Sequence, residues 1–102
     1  MKLAAIAFGF AALSSTAIAA NIDVDISKFA FTPKEITVKP GATVVWTNHD
    51  QTPHTIKARD GGFASSGMDT GDTYAHTFTT AGDYTYFCTL HPFMIGIVHV
   101  RQ

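Results

Sequence analysis

A single cysteine, Cys88, stands in a chain of 102 residues, so no intrachain disulfide can form. Charge is scarce as well. Seven Lys and Arg face eight Asp and Glu, for a formal net charge of −1. That balance lacks the basic face that nucleic-acid binding needs. The acidic residues are scattered and form no acidic docking patch. Charged residues make up only 15% and hydrophobic residues 46%, which excludes a disordered tail and fits one small folded domain. There is no linker, internal repeat or low-complexity stretch, and no 3.6-residue periodicity beyond the N-terminal twenty residues. The longest apolar run, Leu3 to Leu13, falls well short of the roughly 20 residues of a comfortable membrane span.

That run belongs to a three-part N-terminus. Met1-Lys2 supplies a positive start, Leu3–Leu13 an apolar stretch, and Ser14 to Ala20 a small-residue ending. This is the layout of a secretory signal peptide. Residues 1–20 are expected to be cleaved, after Ala19 or Ala20, leaving an exported periplasmic domain over 21–102. Without Lys2 that domain carries six basic side chains against eight acidic ones, a net −2. A domain this small buries a modest core and commonly needs a staple. Export permits disulfides, but one cysteine cannot supply one internally. A metal is the obvious alternative.

Strand signals fill the exported part. Ile22, Val24 and Ile26 alternate with polar residues, and Phe29 and Phe31 continue the spacing. Ile36 and Val38 alternate before a Pro40-Gly41 turn. Thr43–Thr47 is a β-branched and aromatic run around Trp46. His54–Ala58 is a short strand candidate. Residues 59–72, rich in glycine, read as a loop. Tyr74, His76 and Phe78 alternate, Tyr84–Cys88 forms another strand, and Ile95–Val100 the last. Seven to eight short strands, with turn signals about every ten residues, predict an all-β antiparallel sandwich or barrel.

The chemistry concentrates in Cys88-Thr89-Leu90-His91-Pro92-Phe93-Met94. Cys, His and Met recur at three-residue spacing between two strands, so one tight loop can turn all three side chains toward a point. Pro92 stiffens that loop. His54, at the start of an earlier strand, is the fourth candidate, since a sandwich can bring two strand ends together. One thiolate, two imidazoles and a thioether suit copper; the thioether is a poor donor for zinc, calcium or magnesium. Two His and one Cys in a plane with a long axial Met form a blue-copper site. Each residue alone has a blander reading: a cysteine is often a small buried hydrophobe, Met94 core, His91 surface. Their joint pattern is hard to produce by packing needs.

At these residues the chain resembles the cupredoxins, most closely those of the amicyanin type, whose loop has the form Cys-Thr-x-His-Pro-Phe-Met. Asn48 to Thr55 resembles the family's first-ligand segment, Thr79 to Cys88 its turn and strand leading to the cysteine, and Gly96 also fits. The resemblance covers about Asn21 to Val100. It implies a Greek-key β-sandwich with copper near one end, His54, Cys88 and His91 as equatorial ligands, and Met94 as axial ligand. It implies electron passage through a partly exposed His91, within an apolar patch of Pro53, Leu90, Pro92, Phe93 and Met68. Because the loop is short, His91 is also expected to protonate and leave Cu(I). Three features depart from the type: a shorter N-terminus, Leu90 in place of proline, and Thr55 in place of the asparagine that ties the two ligand loops together.

The expected protein is a monomeric, non-enzymatic, periplasmic type 1 copper protein that shuttles single electrons. Its partners would be redox proteins docking briefly around His91, a dehydrogenase and a c-type cytochrome by analogy, with no membrane contact after signal cleavage. The alternatives are a copper carrier or buffer on the same fold, a domain of a copper enzyme, which one thiolate and no second copper site disfavour, and a metal-free sandwich. Of the other histidines, His76 is expected to face inward and be hydrogen-bonded, His49 to be solvated, and His99 to be exposed. Trp46 is expected in the core.

Overall fold

The computed structural model describes residues 21–102, and the expected signal peptide lies outside them. Eight strands follow one another: β1 Asn21–Ser27, β2 Ala30–Thr32, β3 Glu35–Val38, β4 Ala42–Asn48, β5 Lys57–Ala58, β6 Thr73–Phe78, β7 Gly82–Phe87 and β8 Ile95–Val100. Among the described residues no helix is long and apolar enough to cross a membrane.

Period-two sequence produces one-sided burial. In β1, Val24 and Ile26 are buried while Asp23 and Asp25 are exposed. In β4, Ala42, Val44, Trp46 and Asn48 all point inward, and in β8 Gly96, Val98 and Val100 do. These faces meet between two four-stranded sheets, ordered β2-β1-β4-β6 and β3-β8-β7-β5. The shared core contains Trp46, its ring 5.2 Å from Tyr86 and 5.7 Å from Tyr74. The expected Greek-key β-sandwich is therefore present. Each sheet nevertheless holds one parallel pair, β1 with β4 and β3 with β8. Alternation reports which face a residue takes and not which way its strand runs. Here β3 lies in the opposite sheet, so the chain returns to β4 in the direction of β1.

The segment expected as a strand over 54–58 pairs with β7 only at Lys57 and Ala58. His54 instead exchanges two backbone hydrogen bonds with Met68, at 3.1 and 2.9 Å, as the glycine-rich loop folds back. That fold-over buries Met68 and Phe63.

Two side-chain devices fix β8 against its neighbours. Gly96 lies directly opposite Tyr86, and the Tyr86 ring occupies the space a Cβ at position 96 would need. Burial pushes the Tyr86 phenol up to about 12, so the core beneath the metal end stays uncharged. At the outer edge, His99 is only partly exposed. Its Nε2 lies 2.9 Å from Glu35 of β3 and its Nδ1 2.7 Å from Asp83 of β7, while Arg101 also reaches Asp83 at 2.9 Å. Both carboxylates accept only, so the imidazolium satisfies both and the neutral ring just one. Hydrogen bonds to Glu35 and to Asp83 raise the His99 pKa, and those from His99 and Arg101 lower that of Asp83.

Two outcomes are expected. Gly96→Ala should destabilise the protein by about 1–3 kcal/mol in urea unfolding, since the methyl overpacks against a buried ring. The contribution of His99 is fully present below the ordinary histidine value of 6.5 and is lost as pH rises through its raised folded value. The Asp83 contribution is present above 3.8 and is lost as pH falls through its lowered folded value. The difference in urea midpoint between parent and His99→Gln should accordingly be largest between these limits and shrink toward alkaline pH.

Candidate metal centre

Cys88 and Met94 frame a loop whose ends are held by the sheet. Phe87 and Ile95 are paired across β7 and β8, the Cys88 amide donates to the Met94 carbonyl at 3.1 Å, and the Met94 amide donates to the His91 carbonyl at 2.9 Å. Seven residues closed in this way have little freedom, and Pro92 removes more. His54 comes from the segment between β4 and β5, fixed by its bridge to Met68.

The structure brings His54, Cys88 and His91 together, their donor atoms all within 4.8 Å of one another. Cys88 Sγ lies 3.8 Å from His54 Nδ1 and 3.7 Å from His91 Nδ1. Bonds of about 2.0 Å to nitrogen and about 2.3 Å to sulfur, as zinc shows, separate two donors by about 3.7 Å at 120° and about 3.5 Å at a tetrahedral angle. The observed spacing fits donors spread in a plane around one ion. Cys88 and His54 are fully buried, His91 is partly exposed, and Met94 is buried at the loop's end.

The surroundings orient these donors. His54 Nε2 donates to Asp50 Oδ2 at 2.9 Å, which leaves Nδ1 free to bind metal. The same carboxylate accepts the backbone amides of Lys28 and Phe29, at 2.7 and 2.9 Å. Burial alone would raise the Asp50 pKa, but the bonds from Phe29, His54 and Lys28 outweigh it and hold the group below the ordinary carboxylate value. Asn48, fully buried, braces the intervening turn by donating to the carbonyls of Thr52 and Met68 and accepting the Asp50 amide. Thr55 ties the two ligand segments together. Its amide lies 3.3 Å from Cys88 Sγ, its hydroxyl 3.7 Å from that sulfur, and the hydroxyl accepts the Thr89 amide at 2.7 Å. The Thr55 hydroxyl thus supplies an inter-loop bond.

Leu90, Phe93, Pro53 and Pro92 are exposed around the loop, as expected for an apolar patch. Met68, expected in that patch, is 3% exposed because the loop carrying it packs inward. Phe29 takes a place there instead, 40% exposed and with its ring 5.0 Å from that of His91. The sequence assigned Phe29 to a strand because the Ser27-Lys28-Phe29-Ala30 turn lacks the glycine or asparagine that marks such turns. His76 does turn inward, stacked 4.5 Å from Phe63, with burial lowering its pKa. The hydrogen bond expected for it is absent among the described residues; an aromatic contact replaces it. His49 is exposed beside Asp25, at 3.0 Å. His99, expected to be exposed, is instead partly covered by its two carboxylates.

A two-sheet sandwich that gathers one cysteine sulfur and two imidazoles at ligand spacing defines a type 1 copper protein, with one copper ion as cofactor. Residues 18–101 match the copper-binding proteins of the plastocyanin/azurin family, and the chain belongs to that family. Amicyanin of Paracoccus versutus is 42% identical over 83 residues, which are 76% of this chain and 63% of that protein. The chain thus spans just under two thirds of that relative's length. Amicyanin-alpha of Methylorubrum extorquens is 34% identical over 103 residues, covering 96% of this chain and 87% of its own. The solved structure of an amicyanin variant in its Cu(I) form superimposes with a TM-score of 0.75 at 40% identity, over 79% of this chain and 82% of that one.

Hydrogen bonds to the cysteine sulfur tune such a site's potential. Thr55→Val removes one donor near that sulfur, leaves it richer in electrons and favours Cu(II). Voltammetry of the copper-loaded variant should show a lower reduction potential than the parent, with the blue colour retained.

Proposed function

We propose that the protein carries single electrons between larger redox proteins in the periplasm, after loss of residues 1–20. In this reading His54, Cys88 and His91 are the equatorial ligands of one copper ion and Met94 the axial ligand. When bound, copper supplies the one-electron Cu(II)/Cu(I) couple. The observation that carries the proposal is the donor set itself: one cysteine sulfur and two imidazole nitrogens stand at ligand spacing around a common point.

Firmly held donors suit electron transfer. His54 cannot turn, because Asp50 holds its far nitrogen and Met68 its backbone. Cys88 cannot move without breaking the β7–β8 ladder. Ligands that hold still cost little reorganisation when the ion changes charge. Burial of Cys88, His54 and Met94 keeps water from the donors, and four protein ligands leave no open position for a substrate, which argues against catalysis. His91 alone of the three in-plane donors reaches the surface, among Leu90, Phe93, Pro92 and Phe29. A small apolar area with little charge favours brief docking over tight complexes. A dehydrogenase as donor and a c-type cytochrome as acceptor are the partner classes proposed. The thiolate favours retention of copper and so a shuttle over a carrier.

Purified residues 21–102 should turn intensely blue on Cu(II) addition, with narrow copper hyperfine splitting, and Cys88→Ser should abolish both. A colourless tetragonal Cu(II) spectrum would refute the site. Reduction of a ferric c-type cytochrome by the Cu(I) form in stopped flow, with the blue colour returning and copper lost only slowly to a chelator, is the outcome expected of a shuttle. Rapid copper loss without electron exchange would identify a carrier.

A further inference from the structure

The two in-plane histidines are not held alike. His54 faces the sulfur with Nδ1 and is fixed at its other nitrogen by Asp50. His91 faces the sulfur with Nδ1, and among the described residues nothing hydrogen-bonds its other nitrogen. It sits on a loop and is partly exposed. What touches its ring is aromatic: Phe29 at 5.0 Å and 89°, His54 at 5.0 Å and 66°, and Phe93 at 6.1 Å and 67°. Phe93 is 70% exposed and belongs to the same loop, so it moves with His91. Phe29 does not. It stands on the β1–β2 turn and meets His54 as well, at 5.1 Å and 89°, so a single ring is braced edgewise against both imidazoles.

The turn that carries Phe29 is an unlikely one for its sequence. Lys28 and Phe29 both adopt left-handed backbone conformations, φ 54° and 57°. Side chains with a Cβ disfavour that region, and hairpin turns of this kind are normally made by Asn-Gly or Gly-Gly. The compensation comes from Asp50, whose two carboxylate oxygens accept the two successive amides. Charge-assisted bonds of this sort are among the stronger hydrogen bonds. Asp50 therefore fastens the turn and His54 with one carboxylate.

We propose that the Lys28–Phe29 turn is a positioning element of the copper site: Asp50 locks the turn, and the Phe29 ring held there fixes the orientation of His91. The inference rests on the copper-site reading above. Phe29 is a positioning residue, acting through the imidazole and touching no ion. Its effect would be to oppose the departure of His91 from Cu(I) that the short loop leads one to expect.

Phe29→Gly isolates the ring, because glycine adopts the left-handed turn readily. In the metal-free protein, NMR should show the His91 ring protons losing their ring-current shift and broadening, while those of His54 stay sharp. In the loaded protein, electron self-exchange should slow and chelator removal of Cu(I) should quicken, each by about tenfold, the scale of one lost ring contact. Lys28→Gly keeps the ring and should leave all of these unchanged. Asp50→Asn should mimic Phe29→Gly at His91, and adding Lys28→Gly to it should restore much of the His91 order by supplying the turn from the backbone. A blue parent whose Phe29→Gly variant matches it in ring shifts, self-exchange and copper release overturns this inference alone. An Asp50→Asn variant that Lys28→Gly does not improve overturns the lock. A parent that stays colourless with Cu(II) overturns the site reading and this inference with it.

Discussion

The metal end of the molecule depends on the pairing of β7 with β8. These strands are neighbours in one sheet, and their last paired residues, Phe87 and Ile95, stand on either side of the ligand loop. The register decides that Cys88 and Met94 leave the sheet side by side, and the amide–carbonyl bond between them seals the loop. One residue of slippage would turn the cysteine to the opposite face. Tyr86 over Gly96 opposes such slippage by shape, and His99 between Glu35 and Asp83 opposes it by charge at the far edge. The ladder that closes the hydrophobic core is therefore the ladder that aims the thiol.

The second requirement is to deliver His54 from elsewhere in the chain. The sequence solves it with a segment that is barely a strand. Two backbone bonds to Met68, a buried Asn48 and the Asp50 carboxylate take the place of a ladder. Each is a polar group satisfied inside the protein, where an unsatisfied one would be costly. Thr55 then links this segment to the ligand loop at the sulfur itself. The site is built from two pieces held by different means, a sheet on one side and a small hydrogen-bond network on the other.

Much of this was legible beforehand. Period-two alternation places Val24 and Ile26 on the core side, and Trp46 reads as core from its β-branched and aromatic run; all three are buried. The three-residue spacing of Cys88, His91 and Met94, with His54 upstream, named the cluster in which the structure gathers the two histidines and the cysteine. Three features set by distant partners are not legible in the sequence. The parallel pairs were invisible because alternation carries no direction. Met68 looked like surface because its neighbours are glycine, serine and aspartate, yet the loop folds back on His54. Phe29 looked like a strand residue because nothing local announces its turn. The carboxylate that makes the turn stable is 21 residues away.

The closed ladder at Phe87 and Ile95 has one more implication. Three of the candidate ligands lie between two residues that stay paired whatever runs between them, and the fourth is anchored independently. The strand pair thus fixes where the loop begins and ends, and Thr89, bonded to Thr55, and His91, set against Phe29, tie its interior to the rest of the molecule. A change in loop length should therefore move the histidine and the docking face before it moves either sheet.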